Sequence, residues 1–152
     1  MSVLEIVKNE DVRLRQKSMP ITHYDEKLGE LLDNMRDTMR KNNGCGIAAV
    51  QVGAMVRAFI VEAEGMYIEC VNPTMLSQSG SSVMMEGCLS FPNKSGYVQR
   101  PTSVKISAFT REGTLFKLEA KDFLARAICH EYDHLEGIVY IDKLCDKNGR
   151  KL

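Results

Sequence analysis

The chain has 152 residues, and its 20 Lys and Arg balance its 20 Asp and Glu, so the formal net charge at pH 7 is zero. This balance argues against nucleic-acid readout, which usually requires a basic surface. With 44% hydrophobic residues, the composition also excludes a disordered chain, a collagen and a coiled coil. The length favours one compact domain that spans residues 1–152.

The sequence shows no sign of export or membrane insertion. No apolar run of signal-peptide length follows a basic start, and no stretch of about 18 apolar residues occurs anywhere. Five cysteines are present without a C-x-x-C pair, which fits neither a disulfide framework nor a zinc ribbon. We therefore expect a cytoplasmic protein with no membrane partner, whose thiols are reduced and mostly buried.

The first predicted element is an amphipathic helix between residues 25 and 42. Apolar residues recur there at helical spacing, namely at Leu28, Leu31, Leu32, Met35 and Met39. Asp25 is a suitable N-cap, and Gly44 lies just past the expected end. The pattern predicts a surface helix whose apolar stripe faces the core.

Two antiparallel hairpins are predicted after this helix. Residues 56–61 and 66–71 are β-prone runs, and the Asn72-Pro73 pair is expected to end the second run. Residues 104–108 alternate between apolar and polar side chains and lead through a turn into a further strand. Between the two hairpins, residues 92–96 are expected to form a loop.

A second long helix is predicted from about residue 121 to residue 136, where Gly137 stops it. Apolar residues occupy most of its circumference, namely Phe123, Leu124, Ala125, Ala127, Ile128, Cys129 and Leu135. Other elements must enclose such a helix. Because the strands precede it without regular βαβ alternation, the sequence predicts an α+β fold in which antiparallel β-sheets wrap around this central buried helix.

This helix carries residues 130–134, HEYDH, which match the pattern H-E-x-x-H. An α-helix turns about 100° per residue, so His130 and His134 project from one face and can bind one metal ion, with Glu131 beside them as a base. The alternative is a pair of hydrogen-bonded core histidines. That alternative is disfavoured, because burying two imidazoles and a carboxylate on a nearly apolar helix is costly without a ligand.

The third metal ligand would define the class of site, since a catalytic metal usually has three protein ligands and a water. Tyr140 stands where a metzincin would have its third histidine, and no glutamate follows Gly137. A cysteine thiolate from upstream is the best candidate, because His2Cys sites suit zinc or ferrous iron. Composition leaves three candidates open, namely Cys45, Cys70 and Cys88.

Three stretches of the sequence resemble the peptide deformylase family. They are residues 44–51 (GCGIAAVQ), 86–90 (EGCLS) and 130–137 (HEYDHLEG). Their order and separation are similar to those of the family, and the similarity extends over nearly the whole chain. The resemblance implies an enzyme that removes the N-terminal formyl group from new polypeptides that begin with formylmethionine.

The resemblance also implies a set of metal ligands and a metal. The ligands would be Cys88, His130 and His134. The metal would be one Fe(2+) per chain, which zinc, nickel or cobalt can replace. By this resemblance, a metal-bound hydroxide attacks the formyl carbon.

Four further residues receive roles from the resemblance. Glu131 would act as general base and then as general acid. The Gln51 side-chain amide and the Leu89 backbone N–H would donate hydrogen bonds to the oxyanion, and Gly46 would bind the substrate backbone.

Residues near these motifs suggest a pocket for the methionine side chain. Its expected lining is Cys45, Met84, Phe123 and Ala127. Glu86 and Asp133 are interpreted as structural carboxylates, one of which pairs with Arg100 or Arg126.

The partners expected from the resemblance are N-formylmethionyl nascent polypeptides, and we expect a monomer. Some members of the family dock on the ribosome through a basic carboxy-terminal helix, for which the ending DKNGRKL is too short. A transient ribosome contact is therefore expected to use another surface. Two other functions remain open, a zinc endopeptidase and a non-catalytic module stabilised by a metal.

Overall fold

The computed structural model describes residues 2–152, which contain two α-helices and eight β-strands. The helices are α1 (Glu26–Lys41) and α2 (Asp122–Leu135). The strands are β1 (Gly46–Ala48), β2 (Ala58–Ala63), β3 (Met66–Ser79), β4 (Ser82–Cys88), β5 (Phe91–Arg100), β6 (Ser103–Phe109), β7 (Leu115–Lys121) and β8 (Leu144–Cys145). Short 3-10 helices cover Val12–Arg15, Ala49–Val52 and Tyr140–Lys143. None of the helices in residues 2–152 has the length and apolar character needed to cross a membrane.

The strands form two antiparallel sheets that enclose α2. The larger sheet has the order β1-β2-β3-β6-β7, and the smaller one has the order β4-β5-β8. Helix α2 packs against β1, β2, β6 and β7, and ten of its residues are buried. The predicted α+β fold with antiparallel sheets around a central helix is therefore confirmed.

Helix α1 forms as its periodicity predicts. The Asp25 side chain accepts a hydrogen bond from the Leu28 backbone N–H at 3.1 Å, so it caps the first turn. The apolar stripe of α1 is buried against β1 and β2, and its fully enclosed members are Leu32, Met35 and Met39. The prediction of an amphipathic surface helix is confirmed.

Both predicted hairpins exist, but β3 is longer than expected. The Asn72-Pro73 pair does not end the strand, which continues to Ser79, so this part of the prediction is wrong. Asn72 adopts a positive φ of 47°, and the pairing with β6 shifts register between Val71 and Thr74. Pro73 therefore lies at an irregularity of the strand. A bulge is one of the few places within a sheet where proline is tolerated.

The smaller sheet was not predicted, and it replaces the loop expected at residues 92–96. These residues belong to β5, where Ser95 pairs with Gly87 and Gly96 pairs with Glu86. The segment is polar and carries Asn93 at a positive φ of 65°, which explains why its sequence lacks a strand signal. Its strand conformation comes from pairing with β4, not from intrinsic preference.

Gly137, just after α2, has a backbone conformation that favours glycine and also has no space for a side chain. Its φ is +75°, and an added Cβ would lie 2.7 Å from the Arg15 carbonyl oxygen. Gly65 has nearly the same φ of +77°, yet its Cβ would meet nothing within 4 Å. A substitution at Gly65 would therefore cause backbone strain alone, whereas one at Gly137 would cause the same strain and a steric clash.

We expect Gly137→Ala to destabilise the protein more than Gly65→Ala. The left-handed conformation alone costs roughly 1–2 kcal/mol for a non-glycine residue, and Gly137→Ala must also displace backbone atoms. Urea unfolding of both variants measures the difference in the free energy of unfolding. Equal losses would contradict the clash at Arg15.

Candidate active site

Three potential metal ligands converge beside α2. The ligand atoms of Cys88, His130 and His134 all lie within 4.8 Å of one another, and Cys88 Sγ lies 3.4 Å from His134 Nε2. Donors bound at about 2.0–2.3 Å in a tetrahedron lie roughly 3.5 Å apart, so this spacing suits a single metal ion. The structure thus brings together the three residues that the family resemblance implies as ligands.

The other cysteines that the sequence left open lie elsewhere. Cys70 is fully buried in the apolar core of the larger sheet, and burial raises the pKa of its thiol to about 12, which disfavours the thiolate that a metal requires. Cys45 is exposed and is not a member of the ligand group. Within the described residues, Cys88 is therefore the thiol that completes the site.

Local structure explains how these ligands meet. His130 and His134 are one turn apart on α2 and project from the same face. Cys88 ends β4, where the pairing with β5 shifts register between Gly87 and Cys88. A bulge of this kind redirects a side chain, and here it accompanies the approach of Cys88 to α2.

A buried carboxylate fixes the orientation of His130. Glu86 Oε1 lies 2.8 Å from His130 Nδ1, which leaves Nε2 for a ligand. Glu86 also accepts hydrogen bonds from Arg100 Nε and Nη2 at 2.9 and 3.0 Å and from Arg126 Nη1 at 2.6 Å. The question of which arginine pairs with a carboxylate is thereby answered: both contact Glu86, and Arg100 also reaches Asp133 at 2.6 Å.

The hydrogen bonds of this cluster keep Glu86 ionised beside His130. Burial opposes ionisation of Glu86, but hydrogen bonds from His130 and Arg100 outweigh it and hold the pKa of Glu86 well below its ordinary value. Burial also disfavours a charged His130, yet contacts with Cys88 and Glu86 raise its pKa above the ordinary value. Glu86 is therefore the anionic partner of the His130 ring.

His134 has the form that a metal ligand needs. Burial, aided by the neighbouring His130, lowers the pKa of His134 well below its ordinary value, so the imidazole is neutral. Its Nδ1 is buried and has no hydrogen-bond partner among the described residues, while Nε2 faces Cys88 Sγ. A neutral imidazole with Nε2 directed at a thiol fits a soft or borderline metal.

Tyr140 packs on the ring of His130, a role that the sequence did not reveal. The two rings are stacked, with centroids 6.0 Å apart and an interplanar angle of 22°, and Phe91 meets Tyr140 edge-on. Sequence reasoning noted Tyr140 only as a position where a metzincin ligand is missing. Because Tyr140 is almost fully buried, it limits the freedom of the imidazole.

Glu131 lies beside the ligand group in an unusual environment. It is 5% exposed, and its Oε1 has no hydrogen-bond partner among the described residues. Burial raises the pKa of Glu131 to about 7. Gly46 adjoins this carboxylate so closely that an added Cβ would lie 2.6 Å from Glu131 Oε2. Glycine at this position therefore allows β1 to approach Glu131.

The Gln51 side chain is held in one orientation. Its Oε1 accepts a hydrogen bond from the Ala48 backbone N–H at 2.9 Å, and its Nε2 donates to Ser90 Oγ at 3.1 Å. Nε2 also lies 3.5 Å from Cys88 Sγ. The amide donor of Gln51 thus faces the ligand group, and Leu89 stands between Cys88 and Ser90. The part played by Ser90 gave no signal in the sequence beyond its place in the EGCLS stretch.

These groups open into one cavity of about 350 Å³, a volume typical of small-molecule sites. Three of the four residues expected to line a methionine pocket do line it, namely Cys45, Phe123 and Ala127. The fourth expectation is wrong, because Met85 rather than Met84 borders the cavity. Gly46, Gln51, Leu89, Cys88, His130 and Glu131 also border it.

An H-E-x-x-H helix enclosed by antiparallel sheets, with a cysteine beside both histidines, defines a hydrolase with a metal-type ligand group. A family model described as Polypeptide deformylase matches residues 3–150, and the chain belongs to this family. It is therefore a bacterial-type hydrolase of the formyl-methionyl amide that acts in protein biosynthesis.

Individual relatives agree with this assignment. The chain is 47% identical to a peptide deformylase of Caldicellulosiruptor bescii over 144 residues, which cover 95% of this chain and 87% of the relative. The crystal structure of peptide deformylase from Thermotoga maritima superimposes with a TM-score of 0.92 at 32% identity and covers 94% of this chain and 98% of that one. A Met-Ala-Ser-bound class I type b peptide deformylase from Acinetobacter baumannii gives 0.89 at 32% identity, with 93% and 98% covered. The family predicted from the three sequence stretches is confirmed.

We expect Glu86→Gln to weaken zinc binding by about 10–100-fold, the usual effect of losing a group that orients a metal-bound histidine. The variant also leaves Arg126 without its buried carboxylate partner and Arg100 paired with Asp133 alone, so its folding must be checked by circular dichroism. Competition with a chromophoric chelator measures the affinity. Glu69→Gln, which alters a carboxylate paired with Arg111 away from the cavity, is the matched control. A folded Glu86→Gln protein with wild-type affinity would contradict the role of Glu86.

Proposed function

We propose that this deformylase acts through one metal ion held by Cys88, His130 and His134, with Fe(2+) as the native metal and zinc, nickel or cobalt as substitutes. The observation that supports this proposal is the convergence of the three ligand atoms within 4.8 Å beside Glu131, whose buried Oε1 has no hydrogen-bond partner among residues 2–152. When bound, such an ion supplies a Lewis acid that polarises the formyl carbonyl and lowers the pKa of a water molecule.

In this mechanism Glu131 moves the proton. Its Oε1 is free of partners among the described residues, so it can accept a proton from the attacking water. The same carboxyl group then gives that proton to the departing methionine nitrogen, which must be protonated to leave. Burial raises the pKa of Glu131, which favours a carboxyl group that first accepts and then gives a proton near neutral pH.

Two donors stabilise the charge that develops on the formyl oxygen. The Gln51 amide is already fixed by Ala48 and Ser90 with its N–H group towards the ligand group. The Leu89 backbone N–H is the second donor, and Leu89 borders the same cavity. Donors that are oriented before the reaction need no rearrangement in the transition state.

The substrate backbone would bind along β1. This strand is at the edge of the larger sheet, so a peptide can extend the sheet next to Gly46. The methionine side chain would enter the part of the cavity lined by Cys45, Phe123, Ala127 and Met85. The Met-Ala-Ser-bound relative supports a peptide ligand of this kind for the present chain.

We also take residues 1–152 to be one catalytic domain of a cytoplasmic monomer. The family match runs without interruption over residues 3–150, which supports a single domain. The substrates would be N-formylmethionyl nascent polypeptides, reached with at most a transient ribosome contact. Recognition of nucleic-acid sequence and membrane binding have no part in this proposal.

Release of formate from a formyl-Met-Ala-Ser peptide by anaerobically iron-loaded protein tests the proposal. We expect Glu131→Ala to reduce kcat by about 10²–10⁴-fold, the usual contribution of a general base, while the bound metal is retained. Glu30→Ala, at an exposed position of α1, is the control and should keep wild-type turnover. Full activity of Glu131→Ala would contradict the proton-transfer role, and internal cleavage of an unformylated peptide would favour an endopeptidase.

The choice of iron makes a separate prediction. Ferrous iron beside a thiolate is sensitive to oxidation, so iron-loaded protein should lose deformylase activity in air. A nickel-loaded sample, handled in the same way, should keep its activity. Both samples are followed by formate release and by metal content over several hours. Equal stability of the two samples in air would contradict iron as the native metal.

A further inference from the structure

The segment of residues 6–9, here called the clasp, hydrogen-bonds to the short helix that follows β1 and to the turn between β4 and β5. The Val7 backbone N–H donates a hydrogen bond to the Gln51 carbonyl at 2.7 Å. The Asn9 backbone N–H donates to the Ser90 carbonyl at 2.8 Å. Gln51 follows β1 of the larger sheet, whereas Ser90 lies in the turn between β4 and β5 of the smaller sheet. The clasp therefore connects the two sheets where the proposed oxyanion donors lie.

The clasp is itself fixed in place. Before it, the Leu4 backbone N–H donates to Thr38 Oγ1 of α1 at 2.7 Å. After it, Leu14 is fully buried in the short helix Val12–Arg15. Within it, Ile6 and Val7 are at most 9% exposed. A segment held on both sides and buried in between can resist displacement of the groups that it binds.

The clasp also packs towards the metal ligands. Val7 belongs to an apolar cluster with Phe91 and Tyr140, and Tyr140 stacks on the ring of His130. Asn9 adopts a positive φ of 55°, a conformation that asparagine tolerates better than most residues. This conformation ends the extended run and directs the Asn9 N–H to Ser90.

We propose that the clasp positions the Gln51 amide and the Leu89 N–H relative to each other, an inference that rests on the proposed function of these two donors. Gln51 lies in the short helix that follows β1 of the larger sheet, and Leu89 lies in the turn between β4 and β5 of the smaller sheet. Two side-chain contacts link these regions directly, from Gln51 Nε2 to Ser90 Oγ at 3.1 Å and to Cys88 Sγ at 3.5 Å. The two clasp hydrogen bonds hold the backbones of Gln51 and Ser90 together from the other side. Alignment matters because a misplacement of about 1 Å can reduce catalysis about 10²-fold.

Val7→Pro tests the clasp, because proline lacks the N–H that reaches Gln51 and Val7 lies outside the helices and strands. Lys8→Pro is the matched control, since the Lys8 N–H donates no hydrogen bond within residues 2–152. In the nickel-loaded protein, we expect Val7→Pro to lower kcat for formyl-Met-Ala-Ser by about tenfold or more, with KM and metal content within about twofold. Lys8→Pro should remain close to wild type in all three quantities.

A second pair of variants decides the question if Val7→Pro does not fold. Asn9→Gly keeps both the N–H and the left-handed conformation, whereas Asn9→Val strains that conformation and displaces the N–H. We expect Asn9→Val to lower kcat more than KM, and Asn9→Gly to retain wild-type kcat.

Each outcome has a distinct meaning. Wild-type kcat in folded Val7→Pro or Asn9→Val protein would overturn the clasp, and so would a loss of kcat that is equal in Lys8→Pro or that follows a loss of bound metal. If metal-loaded wild-type protein releases no formate at all, the proposed mechanism fails instead.

Discussion

The buried carboxylate of Glu86 is the contact on which the site depends. It joins three elements, because it lies on β4, accepts hydrogen bonds from Arg100 of β5 and Arg126 of α2, and orients His130 on the same helix. A buried charge is costly unless it is fully paired, and Glu86 meets this condition with three partners. Cys88 is two residues further along β4, so the interaction that fixes Glu86 also places the thiol against the histidines.

Much of the fold could be predicted from periodicity, because α1, α2 and the two hairpins each carry their own pattern. The smaller sheet could not, since residues 92–96 are polar and become a strand only by pairing with β4. Some residues of the candidate site could likewise be predicted from local sequence patterns, and others could not. His130 and His134 follow from local spacing on a helix, whereas the choice of Cys88 needed the family resemblance. The pairing of Glu86 with both arginines depends on contacts between residues far apart in the chain, which no local pattern encodes.

The burial of Glu131 costs folding free energy and at the same time raises the pKa of its carboxyl group. A carboxylate at 5% exposure whose Oε1 meets no hydrogen-bond partner in the described part of the chain is destabilising by itself. Gly46 brings the edge strand β1 against that carboxylate at a distance that any larger residue would prevent. Glu131 therefore lies in a buried, crowded place in which its pKa is raised to about 7.

The arrangement of the two sheets explains why the site needs connections on more than one side. The Gln51 amide lies in the short helix that follows β1 of the larger sheet and Leu89 in the turn between β4 and β5 of the smaller one, while α2 supplies both histidines and Glu131 between them. Any relative shift of the sheets would move a donor away from the ligand group without changing either sheet internally. Glu86 ties the smaller sheet to α2, and residues 6–9 tie it to the larger sheet. Together these connections hold side chains from three separate parts of the fold beside one cavity.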